Sequence, residues 1–199
     1  MPIELVLASA SAARAQLLRQ AGLSFRTEPA AIDETSLKRR ARKRGDSAIG
    51  CARLLAQAKA DAVSARNRNA LVIGADQILV ADEEWFDKPV DAVAVREQLW
   101  ALRGRTHTLA TAVCVLRDMI VLWRAENSPR LTMRWFSDRF LEDYVGAEGD
   151  ALLGSVGAYR LESRGAQLFS GISGDYFSVL GLPLIELLEF LRECGALQR

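Results

Sequence analysis

Apolar runs and periodic apolar stripes along the chain predict strands interleaved with helices. Residues 3–8 and 70–75 are almost wholly apolar, which is typical of short buried strands, and the apolar segment ILVAD follows the second run. Apolar positions three and four residues apart predict a helix over residues 12–21, ended by Gly22, and a longer helix over residues 46–66. The first half of the chain therefore begins with a strand–loop–helix unit, followed by a second helix and a second strand.

The rest of the chain completes a pattern of the α/β class. Asp91 is placed to cap a helix that ends at Gly104, and three β-rich segments follow at 106–116, 119–125 and 130–136. A helix over residues 137–145, a glycine-rich stretch and a leucine-striped helix come last, whereas residues 23–37 are predicted to be irregular. Because neither a linker nor a repeat divides these elements, we expect a single domain over residues 1–199.

Composition and charge favour a protein that binds a small ligand. Lys and Arg number 26 against 25 Asp and Glu, so the net charge of +1 lacks the basic excess of proteins that coat nucleic acid or acidic membranes. The cysteines are far apart, and the start of the chain lacks the pattern of a signal peptide. We therefore expect a cytoplasmic protein in a reducing compartment, with no membrane segment and no stable nucleic-acid partner.

The single histidine limits the chemistry that the chain can perform. His107 lies in the alternating segment RTHTLATAV, which predicts a strand, and we interpret it as a strand residue without a catalytic role. A histidine-based metal cluster is excluded, and a serine–histidine–aspartate triad would depend on this one residue. Carboxylates, lysines and arginines, together with a metal ion, are then the groups available for catalysis.

Two acidic positions are candidates for a divalent-metal site. Asp76 follows the run ALVIGA at the predicted carboxyl end of a strand, where open α/β sheets bind ligands. A carboxylate there can hold a cation or activate water, but a turn aspartate is an equally good interpretation. The pair Asp33 and Glu34 is weak by itself. Beside Asp76, however, it would form an oxygen-ligand site suited to Mg²⁺ or Mn²⁺.

Small polar and basic residues are candidates for phosphate binding. Ser9, Ser11 and Arg14 come where the first strand gives way to a helix, whose N-terminal amides and dipole attract anions. Ordinary helix capping with a surface arginine is the alternative. Lys59 interrupts an apolar helix stripe and Lys88 lies in a turn, so each lysine either reaches solvent or points to a phosphate.

The run KRRARKR, residues 38–44, is the one feature that suggests nucleic acid. Because the rest of the chain compensates its charge, a solvated helix start or a flexible rim is the favoured interpretation. The second interpretation is a funnel that attracts a polyphosphate by its electric field.

Segments along nearly the whole chain, in this order and spacing, resemble the Maf family of nucleoside triphosphate pyrophosphatases. The first is LVLASASAAR, and the acidic pair at Glu34 follows. AQAKA surrounds Lys59, VIGADQILV surrounds Asp76, and FDKPVD surrounds Lys88. The last are LRGRTHTLAT and GAYRLESRGAQLFSGISGDYFSVLGLPL.

The resemblance implies a twisted mixed β-sheet flanked by helices, with two lobes around a central cleft. It also implies that Mg²⁺ or Mn²⁺ assists cleavage between the α- and β-phosphates of a nucleoside triphosphate, and that the protein is a homodimer, as family members often are. By their match to the family's motifs, the expected catalytic residues are Asp76, Glu34, Lys59 and Lys88, with Asp76 and Glu34 as metal ligands. The expected substrate-binding residues are Ser9, Ser11, Arg14, Gln77 and Glu162.

Two of these positions bear on the nucleobase. Gln77 and Glu162 resemble the branch of the family that prefers 7-methyl-GTP, whereas Thr and Gln are usual in the branch that prefers thymidine and uridine triphosphates. A carboxylate can accept hydrogen bonds from guanine N1 and the exocyclic amine, which suits Glu162 to this role. Pairing of Glu162 with Arg160 or Arg164 is the alternative.

The chain departs from the family pattern at several positions. Ala12 and Ala13 stand where Pro and then Arg or Trp are common, so one phosphate- or base-facing side chain is missing. Arg160 and Ser163 replace the usual Gln and Gly near Glu162.

The expected activity is conversion of a modified nucleotide to a monophosphate and pyrophosphate, with 7-methyl-GTP as the expected substrate. The alternatives are a dTTP/UTP pyrophosphatase and a nucleotide-binding regulator of cell division with little turnover.

Overall fold

A computed structural model describes residues 3–198 as one mixed β-sheet with helices on both faces. Its helices are α1 Ala12–Gln20, α2 Glu34–Arg44, α3 Ala48–Ser64, α4 Ala92–Leu102, α5 Asp138–Glu148, α6 Tyr176–Val179 and α7 Leu184–Glu193. Its strands are β1 Leu5–Leu7, β2 Arg26–Thr27, β3 Leu71–Ala81, β4 Glu84–Phe86, β5 Thr106–Arg117, β6 Ile120–Asn127, β7 Arg130–Met133 and β8 Phe169–Ser173. The predicted α/β class is confirmed.

The sheet runs in the order β2-β1-β3-β5-β7-β8, with β4 also paired to β3 and β6 also paired to β5. Strand β1 is parallel to both of its neighbours, whereas β5 is antiparallel to β3 from the pair Val72–Leu116 to the pair Val80–Thr108. The two long, largely buried strands β3 and β5 form the centre of the sheet because their apolar side chains are covered on both faces. The predicted mixed sheet is therefore confirmed.

The edge of β3 that faces away from β5 contains a gap between two strand neighbours. Strand β1 pairs with Leu71–Ile73, and β4 pairs with Leu79–Ala81. The segment between them has no strand partner on this side among residues 3–198. A side chain in this segment can therefore face an opening in the sheet while its backbone is still held by β5.

Three apolar clusters surround the sheet. One packs α3 against one face of the sheet, and a second packs α1 and α7 against the opposite face. The third joins α4, α5 and the 3-10 segments Gly149–Gly154 and Arg164–Leu168 to the far ends of β3 and β5. The first two clusters form one lobe and the third forms the other, as predicted.

Helix α3 approaches β3 most closely at Gly74. A Cβ atom at this position would lie 2.3 Å from the Ala56 carbonyl oxygen and 2.7 Å from the Ala60 Cβ. The stripe of small residues on α3 and the glycine in β3 therefore allow a separation that a larger residue would prevent. This separation determines how far the side chains of α3 can reach along the sheet.

His107 has the environment expected of a structural residue. Its ring is buried in β5, and its Nε2 lies 2.8 Å from the Tyr159 hydroxyl. Burial lowers the pKa of His107 from its ordinary 6.5 to about 4, so the ring is neutral at physiological pH. The ring packs beside Tyr159 and Phe169 in the second lobe and does not line the large cleft described below.

Four features of the chain differ from the sequence predictions. Strand β3 continues through Asp76 rather than ending before it, because β5 pairs with every residue from Val72 to Val80. Helix α2 begins at Glu34, within the segment predicted to be irregular, because Asp33 caps it by accepting from the Ser36 amide. Strand β7 ends at Met133 instead of residue 136, and the glycine-rich stretch contains 3-10 turns and β8.

No helix within residues 3–198 is both long and apolar enough to cross a lipid bilayer.

Candidate active site

A large cleft between the two lobes is lined by nine of the residues that the sequence singled out for chemistry, whereas Asp33, predicted beside Glu34 for the metal site, caps α2 and does not line it. Its volume is about 1410 Å³. The sequence-predicted residues that line it are Ser9, Ser11, Arg14, Glu34, Lys59, Asp76, Gln77, Lys88 and Glu162. These side chains come from both lobes and from positions up to 153 residues apart along the chain. The fold thus brings all nine to one cavity.

Asp76, Lys59 and Glu34 form a charged cluster at the gap in the sheet. The Lys59 ammonium donates to Asp76 Oδ1 at 2.6 Å and lies 3.0 Å from Glu34 Oε1. Asp76 and Lys59 are 5% and 8% exposed, so this is a buried ion pair, whereas the Glu34 side chain is half-exposed. The second oxygen of Asp76, Oδ2, is buried and has no hydrogen-bond partner among residues 3–198.

Strand periodicity and helix periodicity explain why these groups meet. Alternate residues of β3 face α3, and Asp76 follows Val72 and Gly74 on this face. Lys59 lies on the buried stripe of α3, one turn after Leu55. Because Lys59 is buried, the interpretation that its ammonium reaches solvent is wrong.

The loop before α1 supplies hydroxyl and guanidinium groups. Ser11 caps the helix by accepting from the Arg14 amide at 3.4 Å, as the capping interpretation expected. Arg14 is not the surface residue of that interpretation, because it is 8% exposed. Its Nη1 donates to Ser9 Oγ at 3.2 Å and its Nε donates to the Gly181 carbonyl at 2.9 Å.

Gly181 is a site residue that the sequence did not reveal. Its φ of +102° is a conformation that favours glycine, and a Cβ atom there would lie 3.1 Å from Arg14 Nε. Burial lowers the pKa of Arg14 from its ordinary value, and the nearby charges of Asp76 and Glu34 oppose that effect. The guanidinium is therefore held rigidly at the cleft wall and remains cationic.

Lys88 follows β4 and precedes α4, in the turn predicted for it. It is exposed at the cleft, and within residues 3–198 it has no carboxylate partner. Removal of water by the surrounding cleft wall lowers the pKa of Lys88, and the positive charges of Arg14 and Lys59 lower it further. When the pKa of a lysine is lowered in this way, an anion bound beside it stabilises the charged form.

Gln77 faces the side of the sheet opposite to Asp76. Its Nε2 donates to the Thr111 hydroxyl at 2.7 Å and to the Ser178 carbonyl at 2.8 Å. The Thr111 hydroxyl in turn donates to the same carbonyl at 3.0 Å. Because a main-chain carbonyl only accepts, the amide nitrogen must face it, which leaves Gln77 Oε1 as the free acceptor of the side chain.

Glu162 lies on the second lobe and pairs with Arg160, as the alternative interpretation proposed. Arg160 Nε donates to Glu162 Oε1 at 3.2 Å, and its Nη1 donates to Glu148 Oε2 at 3.4 Å. Ser163 Oγ also donates to Glu148, at 2.8 Å. The two residues that depart from the family pattern near Glu162 thus share one buried carboxylate, which fixes the segment that carries Glu162.

The basic run lies within α2 and is neither a flexible rim nor a helix start. Lys38 Nζ donates to Asp87 Oδ1 at 2.6 Å, and the Arg42 guanidinium lies 5.0 Å from the centre of the Trp85 ring. These contacts hold α2 against the segment that leads to Lys88. Lys38, Arg39, Arg42 and Lys43 line the cleft.

Comparison with known proteins agrees with this arrangement. The sequence profile of a family described as Maf-like protein matches residues 4–194. A nucleoside triphosphate pyrophosphatase of Paramagnetospirillum magneticum is 48% identical over 192 residues, which cover 96% of this chain and 99% of the relative. A protein of the same name from Granulibacter bethesdensis is 49% identical, over 98% of this chain and 99% of the relative.

A 7-methyl-GTP pyrophosphatase of Brucella abortus is 45% identical over 192 residues, which cover 96% of each chain. Both the match to the family profile and the identity to these relatives extend over nearly the full length of the chain. The protein therefore belongs to the Maf family.

Proposed function

We propose that the protein hydrolyses a nucleoside triphosphate between the α- and β-phosphates, releasing a monophosphate and pyrophosphate. The observation that carries this proposal is the cluster of Asp76, Lys59 and Glu34, beside Arg14 and Lys88 in one cleft. The names of the relatives from P. magneticum and G. bethesdensis support the same reaction. A triphosphate carries dense negative charge, and this part of the cleft supplies the cations that neutralise it.

The carboxylates suit a divalent cation whose remaining ligands come from water and the substrate phosphates. Asp76 Oδ2 is a buried oxygen without a partner, and Glu34 is within reach of the same ammonium. Within residues 3–198 no group of three or more His, Cys, Asp or Glu is suited to a metal, and the two carboxylates that would hold the cation are those of Asp76 and Glu34. Mg²⁺ is commonly held by one or two carboxylates together with water and substrate phosphates. Bound Mg²⁺ or Mn²⁺ would polarise the phosphate and lower the pKa of the attacking water.

The side chains of the cleft perform the remaining work. Lys59 holds Asp76 in place by donating to Oδ1, which leaves Oδ2 available to accept a proton from water. Arg14 and Lys88 bind the departing phosphates and stabilise the negative charge that develops on the leaving oxygen. The amides of Ala12 and Ala13, in the first turn of α1, have no intrahelical acceptor and are free to donate to a phosphate oxygen.

We further propose 7-methyl-GTP as the preferred substrate. The relative from Brucella abortus that carries this activity in its name supports the proposal. Gln77 and Glu162 line the cleft, and the contacts of each leave one carbonyl or carboxylate oxygen free to accept from guanine N1 and its amine. Arg160 donates to Glu162 Oε1 and so orients the carboxylate.

Pyrophosphate release from a panel of nucleotides tests both parts of the proposal. The panel contains 7-methyl-GTP, GTP, UTP, dTTP and CTP, each with Mg²⁺, with Mn²⁺ or with chelator. We expect metal-dependent turnover that falls by about 10³-fold or more in Asp76→Asn, because a group central to the transition state is lost. The matched control Asp150→Asn changes an exposed carboxylate of the same cleft to which no catalytic or positioning role is assigned, and we expect it to retain activity.

The outcomes separate the candidate functions. Fastest turnover of UTP or dTTP would replace 7-methyl-GTP by the pyrimidine alternative. Tight binding of a nucleotide without turnover of any of them would overturn the enzymatic proposal in favour of a regulatory protein. Turnover that is unchanged in Asp76→Asn would remove that residue from the mechanism.

A further inference from the structure

Helix α2 presents two kinds of basic residue to the cleft. Lys38 and Arg42 are engaged, because Lys38 pairs with Asp87 and Arg42 stacks on Trp85 and donates to its carbonyl at 3.2 Å. Their contacts hold the helix in place along the β4 segment. The position of α2 relative to the cleft is therefore defined by contacts at two successive turns.

Arg39 and Lys43 are the second kind of basic residue that α2 presents to the cleft. Both line the cleft and are exposed, and neither has a carboxylate partner within residues 3–198. They are four residues apart on α2 and so lie on the same face of the helix. With a rise of 1.5 Å per residue, Lys43 lies about 13 Å along the helix axis from Glu34. Arg39 lies about 7 Å from Glu34 on the same scale, so an anion held between Arg39 and Lys43 lies farther along α2 than the Asp76 cluster.

The size and charge of the cleft exceed what a triphosphate requires. Its volume of about 1410 Å³ is above the roughly 300–1,000 Å³ of ordinary small-molecule sites. Eight cationic and five anionic side chains line it, an excess of three positive charges in a chain whose net charge is +1. Arg14 and Lys88 bind the departing β- and γ-phosphates in the proposed function, so the positive charge of Arg39 and Lys43 is left for a further group.

We infer that Arg39 and Lys43 form an anion subsite for phosphates beyond the third, which extends the substrate range to nucleoside 5′-tetraphosphates and dinucleoside tetraphosphates. The inference rests on the proposed function for its chemistry, but not for binding. Water attacks the α-phosphorus and the bond from the α-phosphorus to the bridging oxygen breaks. A tetraphosphate then yields a monophosphate and tripolyphosphate, and a dinucleoside tetraphosphate yields a monophosphate and a triphosphate.

Equilibrium binding in the presence of chelator tests the subsite without turnover. The probes are GTP, guanosine 5′-tetraphosphate and P1,P4-di(guanosine-5′) tetraphosphate, measured by calorimetry on the full chain. We expect guanosine tetraphosphate to bind about tenfold more tightly than GTP, the equivalent of about 1.4 kcal/mol. A gain with the free tetraphosphate alone places a terminal phosphate in the subsite, whereas a gain with both probes places bridging phosphates there.

The variant Arg39→Gln/Lys43→Gln should remove this preference. The matched control Arg40→Gln/Arg68→Gln removes the same charge from exposed positions that do not line the cleft, and it should keep the preference. A charge-retaining variant, Arg39→Lys/Lys43→Arg, should restore most of it. All four positions are exposed, and circular dichroism verifies that each variant folds.

Two results would overturn the inference. One is equal affinity of the parent protein for GTP and both tetraphosphates. The other is an equal loss of affinity for every probe in Arg39→Gln/Lys43→Gln, which would indicate general attraction of anions rather than a subsite. Failure of the proposed function is a different result, namely binding that follows the expected pattern while Mg²⁺ and Mn²⁺ produce no monophosphate.

Discussion

Replacing Lys59 by methionine removes the charge that offsets the buried Asp76 carboxylate while keeping most of the length of the side chain. The ammonium lies 2.6 Å from Asp76 Oδ1 and 3.0 Å from Glu34 Oε1. Removing one partner of a buried ion pair costs about 3–5 kcal/mol, because the other charge is left without compensation. Since Glu34 is half-exposed and Arg14 lies near both carboxylates, we expect the low end of that range, about 3 kcal/mol.

Urea unfolding of Lys59→Met, Asp76→Asn and the double variant measures this effect as the free energy of unfolding. Because the two side chains are in contact, we expect the effects of the single variants not to add, with an interaction energy above about 1 kcal/mol. Lys88→Met is the matched control. That lysine is exposed and has no carboxylate partner in the described part of the chain, so we expect a change within about 0.5 kcal/mol.

A loss below about 1 kcal/mol in Lys59→Met, or additive effects in the double variant, would contradict the argument. Either result would mean that the contact between Asp76 and the ammonium contributes little to the stability of the folded protein. The role assigned to Lys59 in the proposed function would then be wrong, even if the variant were inactive.

Three further predictions follow from particular contacts. Because burial lowers the pKa of His107 from 6.5 to about 4, the unfolded state binds more protons between these values. Stability is therefore lost as the pH falls through this window, and His107→Gln should remove about 2 kcal/mol of the difference in unfolding free energy between pH 7 and pH 5; an unchanged difference would contradict this. Gly74→Ala should destabilise the protein by about 1–3 kcal/mol, because the added Cβ overpacks against α3. Gly146→Ala in α5 adds a Cβ that meets no atom within 4 Å, so it should stabilise the protein by about 0.5–1 kcal/mol in the same urea assay. Similar effects at both positions would refute the packing argument. Thr111→Val removes a hydroxyl that bonds Gln77 and should raise KM for the preferred nucleotide about fivefold, the equivalent of about 1 kcal/mol for one hydrogen bond; an equal rise for all nucleotides would argue against a role in base selection.

Local sequence patterns predicted the elements whose signals are complete within one segment. The predicted helix over residues 12–21 is observed at Ala12–Gln20, and the helix after Asp91 ends at Leu102, before Gly104. Capping side chains and periodic apolar stripes act over one or two turns, so the sequence contains all the information that these elements need. The strand at His107 was predicted because the alternation of polar and apolar residues is likewise complete within one segment.

Elements that depend on distant partners were predicted less well. The apolar run of β3 is interrupted by Asp76 and Gln77, yet the strand continues because β5 pairs with it throughout. Helix α2 carries so many basic residues that it has almost no apolar stripe, and it is held by contacts with Asp87 and Trp85, more than 40 residues away. Pairing and docking of this kind leave no periodic signal in the segment itself.

The sequence by itself determined the α/β class, most helix boundaries and, through the resemblance to the Maf family, the set of residues to consider. Only the tertiary structure decided that Lys59 bridges Asp76 and Glu34, that Gly181 holds Arg14, and that the α2 cations line the same cleft. The physical reason is the separation along the chain over which each kind of interaction acts. Capping and periodicity act over a few residues, whereas the electrostatics of the cleft depend on distances between side chains that are tens of residues apart along the chain.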